Sequence, residues 1–455
     1  MKNLRVLILA AGKSTRMKSK FAKVLHRAGG RTLIEHVLTA ARRLSAEIAV
    51  VVGHSADLVK NASSGVSFVD QKEQLGTGHA VLSARDHYAG YDGDLLVMPG
   101  DVPLIASDTL DQFVQFHREG GFVACVLTAD IDDPTGYGRI VRRDDHELQS
   151  IVEHRDASPA IRQIREINSS IYVFNAPALF DCLSKVRNDN AQREYYLTDV
   201  IGLMVGQNRK VGAFKVSRAE EILGINTRQE LATVDRILRR RKTEELMTNG
   251  VTIMDPATAY IDADVQIGAD SIIYPAVQIY GNTVVGEDAA IHSFTRLSNA
   301  RIGARSVVLE GSIIVDSEIG QDVSVGPYAH LRMGTSVADT AKVGNFVEIK
   351  KSSLGAGTKS MHHAYLGDAT IGKNVNIGAG VITCNYDGVN KHQTIVEDGA
   401  FVGTDSQLIA PVRVGKDAYV AAGSSITEDV PPESLAIGRG RQVNKEGWRR
   451  KRNLK

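Results

Sequence analysis

Cysteine is nearly absent from this chain of 455 residues. Cys125, Cys182 and Cys384 stand far apart and form no CxxC pair. That excludes a disulfide framework and a cysteine-built zinc site, and it suits a reducing compartment, the cytoplasm. An excess of charge of either sign is also missing, because 54 basic and 53 acidic residues leave a formal charge of +1. No global field therefore draws nucleic acid or an anionic membrane to the chain. Aromatic residues make up 5%, with Trp448 the single tryptophan. A core filled by small aliphatic side chains is the natural consequence. No apolar run approaches the ~18 residues of a membrane span. The N-terminal apolar stretch covers only Val6 to Ala11 and is closed by Lys13, Arg16 and Lys18. It reads as a buried first strand rather than a secretory signal.

What is present is a repeat. From Ile267 to Pro431, hexads such as IGADSI, IYPAVQ, VGEDAA, IGQDVS and VGKDAY recur, twenty of them in phase. The first place is Ile, Val or Leu, and the fifth is Ser, Thr, Ala or Val. A period of six is neither the 2 of a strand nor the 3.6 of a helix. It predicts a coil of three short flat sides, with the first and fifth places pointing inward. Such rungs must stack at the ~4.8 Å strand spacing to share one core. Gly268, Gly286, Gly303 and Gly320, at the second place, are expected to ease corners where φ turns positive. A β-sandwich with chance aliphatic spacing would not keep phase over so many hexads.

Residues 1–226 read differently. Strand-like runs at 4–10, 47–53, 94–100 and 122–128 alternate with helix-like runs at 32–44, 77–88 and 108–119. This alternation predicts a mostly parallel sheet covered by helices, with ligands at the carboxyl ends of the strands. Polar motifs follow those strands. Leu9-Ala10-Ala11-Gly12 leads into Lys13, Ser14, Thr15 and Arg16, with Lys23 beyond. Small residues there let backbone N–H groups approach a phosphate while Arg16 and Lys23 add charge. A Walker A loop is excluded, since its first glycine would fall on Leu7. Asp101, after Met98-Pro99-Gly100, suits Mg²⁺ bridging substrate phosphates, and Asn226 offers a second oxygen. Gln71, Gly76-Thr77, Gly138, Glu153 and Asn168 lie in scattered turns which together suggest one sugar-nucleotide pocket.

Residues 227–250 predict an exposed helical linker, capped by Thr227 and Gly250. Arg239-Arg240-Arg241-Lys242 would allow a membrane-surface role, but a spacer between domains is the better reading. In the repeats that follow, at 251–437, chemistry is expected where the period breaks. Val396 follows Thr383 by thirteen positions where six are expected, and the stretch includes Cys384-Asn385-Tyr386-Asp387-Gly388. A second polar cluster is Lys350-Lys351 with Met361-His362-His363-Ala364-Tyr365. Adjacent histidines on a strand face opposite sides, so at most one belongs to a site. Residues 438–455 form a basic arm with too few aromatics for RNA binding.

The motifs LAAGxxTRM, Lys23, QLGTGHA, Gly100-Asp101, DPTGYGRI, IVEH, EIN and Asn226 resemble those of sugar-1-phosphate nucleotidyltransferases. With the hexads behind them, the whole chain resembles the bacterial family of bifunctional N-acetylglucosamine-1-phosphate uridylyltransferase/glucosamine-1-phosphate N-acetyltransferases. The resemblance implies an α/β Rossmann-like nucleotidyltransferase domain plus a left-handed parallel β-helix. It assigns Leu9, Ala10, Ala11, Gly12, Arg16, Lys23, Gln71, Gly76 and Thr77 to the nucleotide. It gives Gly138, Glu153 and Asn168 to the sugar, and Asp101 and Asn226 to Mg²⁺. It makes His362 the base of an acetyltransferase; Glu348, two places before Lys350, is a separate candidate to orient that histidine, read from its position in the sequence. Arg332, Lys350, Tyr365 and Asn376 would hold the sugar phosphate. Ala379, Asn385, Tyr386, Thr404, Ala422 and Arg439 would meet acetyl-CoA. UTP and acetyl-CoA are the implied co-substrates, a homotrimer through the β-helix the implied assembly, and cell-wall precursor synthesis the implied role. The chain departs from the family's usual pattern at Ser14, Pro99 and Thr404, and a hydroxyl is kept at Thr404.

Overall fold

The computed structural model describes residues 3–12, 15–143 and 147–452. It divides into two compact units, Met1–Leu238 and Arg239–Lys455.

The first unit is built on a mixed sheet. Its strands are β1 (Leu4–Leu9), β2 (Ile48–Val52), β3 (Ser67–Asp70), β4 (Asp94–Pro99), β5 (Ala124–Asp130), β6 (Arg139–Arg142), β7 (Leu148–Val152), β8 (Glu166–Asn175) and β9 (Val211–Lys215). The main order is β9-β5-β8-β4-β1-β2-β3, with β6 and β7 off β8. β1 runs parallel to both β2 and β4, while β8 is antiparallel to β4 and β5. Val6, Leu7 and Ile8 are fully buried, as an apolar run covered on both sheet faces must be. The order of crossovers reverses at β1. Leu9 and Pro99 are register partners, and Gly100 N donates to Leu9 O at 2.9 Å. The loop after β1 and the acid after β4 therefore open side by side at the switch point where such sheets bind ligands.

Helix α1 (Leu33–Arg42) begins with a capping box. Glu35 N donates to Thr32 Oγ1 at 3.3 Å, and Thr32 N donates to Glu35 Oε2 at 2.7 Å. The helix predicted over 77–88 is shorter. Helix α2 covers Thr77–Leu82, and a 3₁₀ turn at Asp86–Tyr88 follows. The Ser83 hydroxyl donates to His79 O at 2.9 Å, offering that carbonyl a partner other than the helical backbone. Helix α3 is Ser107–Glu119 and helix α4 is Arg228–Thr248. The expectation of an exposed α4 is corrected at two points. Val234 is buried with Met17, Leu33, Leu104 and Ile225 in the first unit, and Leu246 belongs to the core of the second. The helix is anchored by apolar residues at Val234 and at Leu246, so a solvated spacer describes only part of it.

The second unit is a parallel β-helix. Its strands fall into three parallel sheets of 11, 10 and 9, each strand pairing with the strand one rung on. The aliphatic first places line one continuous core. Ile273, Ile291, Val308, Val325 and Val343 succeed one another in register along a single sheet. Fifth-place hydroxyls stay buried because they bridge rungs. Ser306 Oγ donates to Gly320 O at 2.8 Å and accepts from Val323 N at 3.0 Å. Ser271 and Thr358 repeat the arrangement.

The role expected for the second-place glycines is corrected. Positive φ occurs instead at fourth places, at Asp270, Asp288, Phe294, Arg305, Tyr328 and Phe346 among others. The glycines answer a different constraint, the close approach of the next rung's backbone. A Cβ on Gly303 would lie 2.4 Å from the Gly320 carbonyl, and one on Gly286 would lie 2.6 Å from Ala304 N. Backbone cannot move aside as a side-chain tip can. Gly303→Ala should therefore destabilise the second unit by about 1–3 kcal/mol, the usual cost of overpacking. A thermal melt with an unchanged midpoint would refute this account.

Candidate functional sites

Beside the switch point the first unit holds a cavity of about 660 Å³. Leu9, Ala10, Ala11, Gly12, Arg16, Lys23, Gln71, Gly76, Thr77, Asp101, Gly138, Glu153, Asn168 and Asn226 all line it. Residues that span 9 to 226 in sequence therefore share one space. Ser14 and Lys13 lie outside the described residues.

The charged floor of the cavity is a compact cluster. Lys23 Nζ is ion-paired with Asp101 and donates to Asn226 Oδ1 at 3.0 Å. Arg16 donates to the same oxygen at 2.8 Å. Two cations thus converge on the two oxygens expected to favour a metal. Glu230, at the start of α4, holds the turn that carries Asn226. Its Oε2 accepts from Asn226 N at 2.5 Å and from Thr227 N at 2.8 Å. Sequence reasoning had not singled out Glu230, although an acid three residues after Thr227 is a capping-box signal. Among the described residues no group of three or more His, Cys, Asp and Glu side chains could hold a metal alone.

The remaining walls are set by backbone approach and burial. Gly76 has φ of +109°, and a Cβ there would lie 2.6 Å from Tyr195 O. Thr77 Oγ1 accepts from Leu197 N at 3.1 Å and pins the same segment. Gly12 lines the cavity and has open space where a Cβ would project. Asn168 N donates to Gly138 O at 2.9 Å, which fixes those two residues together. Glu153 is half-buried in the cavity wall, and its loss of water pushes the carboxyl above the usual range, opposed by the Thr198 hydroxyl, which donates to its Oε1 at 3.4 Å.

The second unit gathers its polar residues around the breaks in the repeat. Asn345 and His362 are register partners, and Asn345 Oδ1 lies 2.8 Å from His362 Nδ1. An amide oxygen only accepts, so Nδ1 carries the proton and Nε2 is left as the basic nitrogen. The orienting partner expected at Glu348 is Asn345 instead. Glu348 accepts from Arg332 Nη1 at 2.8 Å, and its backbone pairs in register with Tyr365. His363 turns the other way and packs its ring 5.0 Å from that of Phe346.

The long break forms a loop between Cys384 and Thr394. Asn385 Nδ2 donates to Asp368 Oδ2 at 2.5 Å, while the Tyr386 hydroxyl donates to Gly388 O at 2.6 Å. The loop also brings Lys391 to Lys350, whose ammonium pushes Lys391 below the usual lysine range. Lys391 was missed in the sequence because its proximity to Lys350 exists only once the loop folds back. Ala379, Thr404 and Ala422 occupy successive rungs, since Asp405 N donates to Ala379 O at 2.7 Å and Gly423 N to Thr404 O at 2.8 Å. Arg439 donates to Ala422 O at 2.8 Å. Asn376 pairs in register with Lys359, three residues before His362.

Burial of Glu153 has a pH signature. A carboxyl whose folded pKa is raised contributes stability in its protonated form, below its ordinary value, and loses it as pH rises through the folded pKa. Glu153→Gln should therefore melt higher than the parent at pH 8, with the gain shrinking toward pH 4. Equal gains at both pH values would refute that origin.

Two family models match the chain. A MobA-like NTP transferase domain covers residues 6–170, and a hexapeptide repeat of succinyl-transferase covers residues 393–428. Full-length relatives match as well. A bifunctional protein GlmU of Koribacter versatilis is 48% identical over 98% of this chain and 97% of its own. One of Halalkalibacterium halodurans is 46% identical over the whole of both chains. One of Thermotoga maritima is 49% identical over 98% of each. The hexapeptide coil is accordingly a left-handed parallel β-helix, a form that fits self-association. With a nucleotidyltransferase sheet in one unit and an acyltransferase coil in the other, the chain belongs to the bifunctional GlmU family, enzymes of UDP-N-acetylglucosamine synthesis by acetyl and uridylyl transfer.

Proposed function

We propose that the two reactions are divided between the two sites described above. Acetyl transfer to the 2-amine of glucosamine-1-phosphate takes place around His362, and uridylyl transfer to the product takes place in the cavity beside Asp101. The observation that supports this division most directly is the placement of the two residue sets. One lines a single cavity in the first unit, and the other lies around the breaks in the coil.

In the cavity, the phosphate of the sugar attacks the α-phosphate of UTP and pyrophosphate leaves. The nucleophile is already an anion, so positioning and charge neutralisation carry most of the acceleration. Leu9 to Gly12, Gln71, Gly76 and Thr77 hold the nucleotide, and Gly138, Glu153 and Asn168 hold the sugar. Lys23 and Arg16 neutralise the phosphates. Asp101 and Asn226 supply hard oxygen donors, a set which fits Mg²⁺ completed by substrate phosphates. That ion, when bound, adds charge neutralisation at the phosphates.

In the second unit, Nε2 of His362 takes the amine proton while Nδ1–H donates to Asn345 Oδ1. Arg332, Lys350, Tyr365, Asn376 and Lys391 surround the sugar phosphate. Ala379, Asn385, Tyr386, Thr404, Ala422 and Arg439 carry acetyl-CoA, with the 438–455 arm closing over it. The enzyme acts in the cytoplasm as a homotrimer. An exposed row of aromatic rings on the coil supports self-association, because Tyr328 and Phe346 stack at 5.7 Å and are each more than half exposed. Among the described residues no helix is long and apolar enough to cross a membrane.

Asp101→Ala should lose uridylyl transfer by about a hundredfold or more and retain acetyl transfer, with the reverse for His362→Ala. Loss of both activities in either folded variant would overturn the division. Lys391→Gln should raise KM for glucosamine-1-phosphate by about tenfold, as expected for one lost charged contact, and leave that for acetyl-CoA nearly unchanged. An unchanged sugar KM would remove Lys391 from the site.

A further inference from the structure

Gln71 lines the nucleotide cavity yet is 4% exposed, so its amide has little freedom once placed. Its Nε2 donates to Gly76 O at 3.3 Å and lies 3.1 Å from His79 Nδ1. The Gly76 carbonyl can only accept, which identifies the end of the amide that faces it as Nε2. The same nitrogen can only donate, so His79 Nδ1 must be an acceptor and the ring proton must sit on Nε2. Both amide protons are then engaged. Oε1 has no hydrogen-bond partner among the described residues, and it is the atom that Gln71 has left to offer a ligand.

His79 itself is firmly placed. It belongs to α2, whose first turn is pinned from outside the helix. Gly78 N donates to Tyr195 O at 2.7 Å, and Leu197 N donates to Thr77 Oγ1 at 3.1 Å. The His79 and Tyr195 rings lie 6.4 Å apart. The acceptor at Nδ1 is thus held by the fold and independent of any ligand.

We propose that His79 is a specificity-determining positioning residue. By accepting a Gln71 amide proton, it holds Oε1 toward the nucleobase and selects a pyrimidine that carries a proton at N3. This rests on the reading, given above, that Gln71 meets the nucleotide. Uracil presents N3–H as a donor, which Oε1 accepts. Cytosine presents a bare N3 lone pair, which faces the oxygen and leaves both acceptors unpaired. Without His79 the amide keeps only the Gly76 contact, and rotation to present Nε2 to the base becomes far less costly.

The test is the ratio of kcat/KM for UTP to that for CTP in uridylyl-type transfer, measured on the full chain. A thermal melt of the same preparations reports folding. His79→Leu should lower the UTP/CTP ratio by about tenfold or more, as expected for about 1.4 kcal/mol of lost discrimination. His79→Asn, which can still present an acceptor, should recover most of the ratio. A fall in kcat/KM for both nucleotides by the same factor would mark a merely structural histidine and overturn the proposal. Gln71→Ala separates the two layers of the argument. If it leaves the ratio intact, the base does not meet Gln71 and the reading beneath the proposal fails. If it collapses the ratio while His79→Leu does not, the role of His79 alone is refuted.

Discussion

Backbone pressed against backbone is the constraint on which the second unit depends. Each rung of the coil passes so close to the next that second-place positions such as Gly268, Gly286 and Gly303 have no room for a Cβ. That closeness lets fifth-place hydroxyls reach a carbonyl one rung on, and it lets first-place aliphatics form an unbroken core. A rung cannot close its own core, so every rung is stabilised by its neighbours. The chemistry then sits on a frame that does not yield. His362 and Asn345 meet because their rungs are in register, without help from a mobile loop.

The first unit solves placement by a different route. Its order reverses at β1, and the reversal leaves the ends of two parallel strands open together. The loop after β1 and Asp101 are neighbours for that reason, though Gly12 and Asp101 lie 89 positions apart in the chain. Glu230 then brings Asn226 to the same place from the start of α4. Sheet topology supplies the coarse position, and one capping acid supplies the fine one.

Much of this could be read from the residues, and the exceptions have physical causes. The six-residue period announces a stacked coil because only the first and fifth places need to point inward. It does not say why the second place is glycine, since both a positive φ and a close approach call for the same residue. The strand-end motifs announce a nucleotide pocket because ligands gather at carboxyl ends. Contacts made by folding back were out of reach. Lys391 meets Lys350 only through the course of an irregular loop, and Asn345 meets His362 only through the register of the rungs. Glu348 looked the better partner for His362 because it is charged, yet Arg332 on the adjoining rung already occupies it.

The loop between Cys384 and Thr394 leaves the coil and returns to it without disturbing the count. Thr394, Ile395 and Val396 resume pairing with Ala369, Thr370 and Ile371 as though nothing had been inserted. Everything downstream keeps its registration, whatever the excursion contains. Its length and composition are mechanically decoupled from the frame, so the residues it carries can vary while the fold stays constant. The coil behaves as a rail along which a working part can be exchanged.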